Sequence, residues 1–127
     1  CNDSSNVDGQ EIGDPTETAL INLSAHLGVP ASRVRAVYPR LSEIPFDSDR
    51  KMMSTLHLLK DGYTMITKGA VDVLIERIKY IRKNNQIVPI TAQDREDILA
   101  MNMEFSQNGL RVLAITYKKL TAEKSLD

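Results

Sequence analysis

The sequence predicts an α+β domain, an antiparallel β-sheet flanked by helices, and three observations point to it. Two strand-like runs, Met53 to Leu59 and Tyr63 to Thr67, flank the turn "KDG" at positions 60–62, a hairpin signal. Two helical patterns carry start signals: Asp14 followed by Pro15 and Glu17, and Thr91 ahead of an apolar run. A last run, Leu110 to Tyr117, alternates apolar and polar residues as a half-buried strand does.

Taken in order, residues 1–13, CNDSSNVDGQEIG, are rich in Asn, Asp, Ser and Gly and read as a loop. Asp14 is the expected N-cap of the first helix, with Pro15 at the first helical position, where its missing N–H has no partner to lose. Glu17 stands three residues after Asp14 and completes a capping-box pattern. Ala19, Leu20, Leu23 and Leu27 give this helix an apolar stripe, and Gly28 with Pro30 ends it. From Val34 to Phe46 the chain reads as extended, with Pro39 and Pro45 confining it to an edge or to short strands. After the hairpin a second helix is expected from about Ala70 to Arg82. Asn84-Asn85 makes a turn, and Ile87 to Ile90 is extended. Thr91 caps a third helix whose Ile98, Met101 and Phe105 share a face, and Asn108-Gly109 stops it. The tail "KKLTAEKSLD" has linker composition.

At 127 residues the chain is long enough for one moderate core and too short for two. Its 16 basic and 17 acidic residues leave a net charge of -1, which argues against broad electrostatic binding to nucleic acid or to an anionic membrane. No run approaches the roughly 18 apolar residues of a membrane helix. Cys1 is the only cysteine, so an internal disulfide and a cysteine metal cluster are both excluded, and a reducing compartment fits. The chain lacks an initiator methionine and is expected to be a piece of something larger. His26 and His57 lie far apart with no cysteine nearby, which disfavours zinc. Neither G-x-x-x-x-G-K-[ST] nor G-x-G-x-x-G occurs, and no G-x-S-x-G elbow presents a nucleophile. A nucleotide, if bound, must be held by an aromatic platform and scattered basic residues.

One stretch breaks its own pattern. In "IPFDSDRKMMST", Ile44 to Thr55, an aromatic residue is followed by a polar knot and two methionines, where a plain strand would alternate. Five fragments, "CND" at 1–3, "GDPTETAL" at 13–20, "PFDSDRKMMS" at 45–54, "KGA" at 68–70 and "LRVLAITYK" at 110–118, occur in order at suitable spacings. Together they resemble the nucleotide-binding domain of P-type cation-transporting ATPases, most like the calcium-pump branch, over essentially the whole chain. The resemblance implies that residues 1–127 are a single nucleotide-binding domain of a larger membrane pump. It would work at the cytosolic face of the membrane without touching the bilayer. The bound species would be ATP, as Mg-ATP in the whole pump, with no Mg²⁺ ligand in this stretch. Its partners would be the phosphorylation and actuator domains of the same polypeptide, and no nucleic acid.

The resemblance also implies roles. Phe46 would stack on the adenine ring, and stacking of a base on an aromatic is worth on the order of 1–3 kcal/mol. Lys51 would bring positive charge into the same pocket, and Met53 would form its wall. Lys68 would line the inner end of the pocket, and Gly69 would let backbone come close to the ligand. Glu17 would accept from the adenine amino group, which guanine lacks at that position, with Thr16 adding polar contacts. Arg111 would reach the phosphates or ribose through its planar fork. Two departures from the family pattern are Val71-Asp72, where proline and glutamate are common, and Ser48, where some calcium pumps carry an arginine. The family's catalytic aspartate lies in a "DKTGT" motif that does not occur here. The fragment is therefore expected to hold ATP without turning it over. The rival reading is a non-catalytic interaction module with the same fold and no working adenine pocket. A shared cleft for these scattered residues would separate the two.

Overall fold

The computed structural model describes residues 2, 5–7, 10–13, 15–29, 31–59 and 62–120. In chain order the elements are β1 (Ser5–Val7), β2 (Gln10–Ile12), α1 (Pro15–His26), α2 (Ala31–Val37), β3 (Ser42–Asp47), β4 (Met52–Leu59), β5 (Gly62–Gly69), α3 (Val71–Leu74), β6 (Tyr80–Lys83), β7 (Gln86–Pro89), α4 (Ala92–Gln107) and β8 (Ala114–Leu120). The main sheet is antiparallel, in the order β3-β4-β5-β8, with helices around it, which is the α+β class the sequence predicts.

The expected hairpin is β4 and β5, the two central strands, although positions 60 and 61 at its tip lie outside the described residues. Side chains alternate across a strand, so Met53 and its partner Lys68 share one face while Ser54 and its partner Thr67 share the other. The Ser54 and Thr67 hydroxyls are 2.7 Å apart. Met52, Met53 and Leu56 are buried in β4, and Val71, Leu74 and Ile75 of α3 and the turn after it complete the apolar core.

Helix α1 starts at Pro15, while Asp14 and Pro30, its expected cap and stop, lie outside the described residues. It ends in a glycine cap: Gly28 takes φ +81, Val29 N donates to Ser24 O at 2.9 Å, and Gly28 N donates to Ala25 O at 3.0 Å. The same motif closes α4, where Gly109 has φ +76 and Leu110 N donates to Phe105 O at 3.0 Å. At the start of α4, Thr91 Oγ1 accepts from Asp94 N at 3.1 Å and Asp94 Oδ2 accepts from Thr91 N at 3.0 Å, a reciprocal capping box. Lys83 Nζ also donates to Asp94, tying β6 to α4. The Lys83 ammonium, and then the Thr91 amide, hold the Asp94 carboxyl below the usual carboxylate range.

Four expectations are corrected. Residues 1–13 are not simply a loop, because β1 and β2 pair antiparallel with Ser5 opposite Ile12. Three-residue polar strands leave no apolar period to read. The segment from Val34 is helical to Val37 before β3 begins at Ser42, and Tyr38 N still donates to Val34 O at 2.8 Å. That helix stops just ahead of Pro39, whose ring disfavours the α region in the residue before it. The second helix is only Val71–Leu74, and Tyr80–Lys83 is a strand. Arg95 of α4 explains this: its guanidinium takes the carbonyls of Ile75 and Ile78, the latter at 3.0 Å, which a continuing helix would need. Asn84 and Asn85 then take φ 49 and 63, the double left-handed turn of a tight β6–β7 hairpin. Strand β8 begins at Ala114 rather than Leu110 and runs to Leu120, beyond which the tail lies outside the described residues.

The apolar stripes also behave differently from their pattern. In α1 the buried position is Thr18, whereas Ala19, Leu23 and Leu27 are exposed and Leu20 is half-buried. In α4 Ile98 is half-buried, Met101 and Phe105 are exposed, and the buried residue is Asp94. Polar contacts from Asp94 and Arg95 in its first turn tie α4 to β6 and to the segment after α3.

His57 is buried on β4. Its Nδ1–H donates to the carbonyl of Tyr38 at 2.9 Å, with the Pro39 carbonyl at 3.1 Å, and Nε2 is 2.9 Å from Thr55 Oγ1, which donates to it. Burial pushes the imidazole pKa below its ordinary 6.5, more than the backbone hydrogen bond to Tyr38 raises it. Below pH 6.5 the unfolded chain therefore binds a proton that the folded chain resists, so stability falls as pH drops and is fully present above 6.5. Urea midpoints measured for the wild type and His57→Gln on either side of that pH should show a steeper acid loss for the wild type.

Candidate functional site

The break at "IPFDSDRKMMST" is a β-bulge. Ile44 pairs with Ser54 and Asp47 with Met52, so Pro45 and Phe46 of β3 together oppose the single residue Met53 of β4. Pro45 has no N–H to give a ladder, and β3 is an edge strand, where that loss matters least. The Phe46 ring is left 63% exposed. The chain then turns tightly, with Asp49 N donating to Asp47 Oδ1 at 2.8 Å and Lys51 N to Asp47 O at 2.6 Å. Lys51 takes φ 58, a left-handed conformation uncommon for lysine. The turn is braced by the end of β5, where Ala70 N donates to Lys51 O at 3.1 Å. A Cβ at Gly69 would lie 2.5 Å from Lys51 O and 2.7 Å from Met52 Cβ. The close approach that Gly69 permits is thus to the chain itself, and it sets the position of Lys51.

Thr16, Glu17, Phe46, Lys51, Met53, Lys68, Gly69 and Arg111 all line one cleft of about 820 Å³. They come from the first turn of α1, the bulge and turn between β3 and β4, the end of β5 and the segment before β8. Lys68 Nζ donates to Glu17 Oε1 at 2.6 Å, with the two side chains only 7% and 17% exposed. The carboxylate at the start of α1 therefore bonds to the lysine at the end of β5. Arg111 is exposed, lies in the irregular segment 110–113 rather than in a strand, and donates from Nη1 to Thr16 Oγ1 at 2.8 Å. Asn2 braces this region: its side chain donates to the Glu17 carbonyl at 3.0 Å, and its own carbonyl accepts from Arg35 of α2 at 2.8 Å.

Other wall residues were not singled out in the sequence. Glu43 lines the cleft and pairs with Arg40 at 2.8 Å, and Leu110, Val112 and Leu113 extend the apolar wall. Asn102 and Ser106 of α4 also face it. Their spacing of four places them on one helical face, so a polar pair beside an apolar stripe was the available clue. The result is an apolar platform of Phe46 and Met53 with Lys51, Lys68 and Arg111 around it. That combination suits a flat aromatic group carrying an anionic tail. Among the described residues no three His, Cys, Asp or Glu side chains cluster as metal ligands would.

Comparison with known proteins adds a lineage. The family described as P-type ATPase, cytoplasmic domain N, matches residues 1–127. A calcium-transporting ATPase of Listeria monocytogenes is 44% identical over 124 residues, which cover 97% of this chain and 14% of that protein. Calcium-transporting ATPase 1 of Lactococcus lactis is 43% identical over 126 residues, 98% of this chain and 14% of that protein. The cation-transporting ATPase pma1 of a Synechocystis strain is 39% identical over 123 residues, 93% of this chain and 13% of that protein. The chain thus spans about a seventh of the length of these relatives. It belongs to the family of P-type ATPase cytoplasmic N domains.

Proposed function

We propose that residues 1–127 form a single nucleotide-binding domain that holds ATP for a P-type cation pump, and that the pump's cargo is calcium. The observation that carries this is convergence: eight residues spread from position 16 to position 111 line one cleft. Phe46 stacks on adenine, Met53 supports the ring, and Glu17 accepts from the adenine amino group. A carboxylate offers about four acceptor positions, room for Lys68 and an adenine amino group together. Lys51 and Arg111 face the ribose and phosphates, with Thr16 beside Arg111.

The cleft fits the ligand chemically, since an apolar platform meets the base and cations surround the anionic end. ATP supplies the γ-phosphoryl group, which passes to an aspartate of a separate phosphorylation domain of the same polypeptide. This domain's contribution is positioning. Holding two reactants in register is worth about 7–11 kcal/mol of barrier in well-oriented systems. The domain works at the cytosolic face of the membrane, with the phosphorylation and actuator domains of the same polypeptide as its partners. Magnesium accompanies ATP in the whole pump and is held outside this chain. None of the described helices is long and apolar enough to cross a bilayer.

The test is an NMR titration with ATP and GTP in parallel. ATP should shift Phe46, Glu17 and Lys68 and bind more tightly than GTP, whose base presents a carbonyl oxygen to Glu17. Equal affinity for the two would remove Glu17 from base recognition, and no shift at these residues with either would remove the assignment of the cleft.

A further inference from the structure

A second cleft, of about 790 Å³, lies against the sheet face opposite the one just described, between that face and the β6–β7 hairpin. Its floor carries Met52, Ser54, Met65, Thr67 and Thr116, residues in register on alternate positions of β4, β5 and β8. Around it stand Arg50, Arg77, Lys79, Arg82, Lys118 and Lys119, and among the described residues no aspartate or glutamate lines it. The chain as a whole carries 16 basic and 17 acidic residues, so this is a local segregation of charge and not a general basic character. Among the described residues, the ion pairs join Arg40 to Glu43, Lys68 to Glu17 and Lys83 to Asp94, and none of them neutralises Arg50, Arg77, Lys79, Arg82 or Lys118. Arg50 instead donates to the Met52 carbonyl at 3.0 Å, and its Nε is buried with no partner. Tyr80 and Tyr117 are exposed at the rim, and Arg82 Nη2 lies 3.4 Å from Tyr117 Oη.

We propose that this second cleft docks an acidic amphipathic segment of a protein partner, with carboxylates on its cationic rim and apolar side chains on its floor. Two features favour a peptide over a small anion. Tyrosine, methionine and arginine, all present in the lining, are enriched where proteins meet. The cations also come from four separate segments, β6, β8 and the turns after α3 and β3, an arrangement that suits an extended chain better than one compact anion. Exposed charge pairs contribute little each and chiefly set partner choice and encounter rate, so association should be salt-sensitive. The site shares no lining residue with the nucleotide cleft and stands independently of it.

The test uses the 127-residue chain saturated with ATP, titrated with two capped nonapeptides that alternate leucine with glutamate or with lysine. The glutamate peptide should shift Tyr80, Tyr117 and the Met52 and Met65 methyls, leave Phe46 unmoved, and weaken as salt rises. Arg82→Glu combined with Lys118→Glu should weaken it by about tenfold with an unchanged melting temperature, since both side chains are exposed. Equal binding of the lysine peptide would overturn the proposal, as would binding of neither peptide at millimolar concentration. Tighter binding of citrate than of the glutamate peptide would overturn it in favour of a small-anion site.

Discussion

Phe46→Ala should weaken the proposed ATP binding about 5- to 150-fold, the span that corresponds to a stacking contribution of roughly 1–3 kcal/mol. The same change should leave the fold almost untouched. The ring is 63% exposed, the bulge that presents it is set by the pairing on either side, and no core residue loses its partner. Surface substitutions of this kind usually stay within about 0.5 kcal/mol, a few degrees in melting temperature. Calorimetric titration with ATP, run beside a thermal melt, separates the two effects. A variant that melts like the wild type and binds ATP equally well would show that Phe46 is not the platform.

Lys68→Ala should carry a large stability cost. Its ammonium lies 2.6 Å from the Glu17 carboxylate, and the two side chains are 7% and 17% exposed. Removing one member of so buried a pair takes its close counter-charge from the other, at a cost of up to about 3–5 kcal/mol. That is a large share of the roughly 5–15 kcal/mol that holds a domain of this kind folded. Glu17→Ala/Lys68→Ala should recover part of the loss, because the carboxylate that lost its nearest counter-charge is then removed as well. Urea denaturation of the two single variants and the double one measures the coupling directly. A loss below about 1 kcal/mol for Lys68→Ala, typical of exposed pairs, would show that the pair is not closed in solution.

What could be read from the sequence was the chemistry that acts locally. Thr91 caps the helix that follows it, Gly109 permits its own left-handed turn, and Asn84-Asn85 turns the chain, so caps and turns were legible. The helix expected over 70–82 was not, because the residue that stops it, Arg95, arrives 17 to 20 residues later and takes its carbonyls. The stripes at Leu23 and Leu27, and at Met101 and Phe105, were visible as stripes, but a local pattern does not say what covers them.

The site divides in the same way. The irregularity at Phe46 was plain in the alternation, whereas the bulge that explains it depends on pairing with β4. The Glu17–Lys68 contact joins residues 51 apart, beyond any spacing rule. Asn102 and Ser106 belong to no motif, and only the path of α4 brings them to the cleft.

The central claim, that ATP lies with its base on Phe46, is tested most directly by intermolecular nuclear Overhauser effects from the adenine H2 and H8 protons. Contacts from these protons to the Phe46 ring and the Met53 methyl are the predicted result. Contacts instead to Tyr80, Tyr117 or Met65, which line the second cleft, would contradict it.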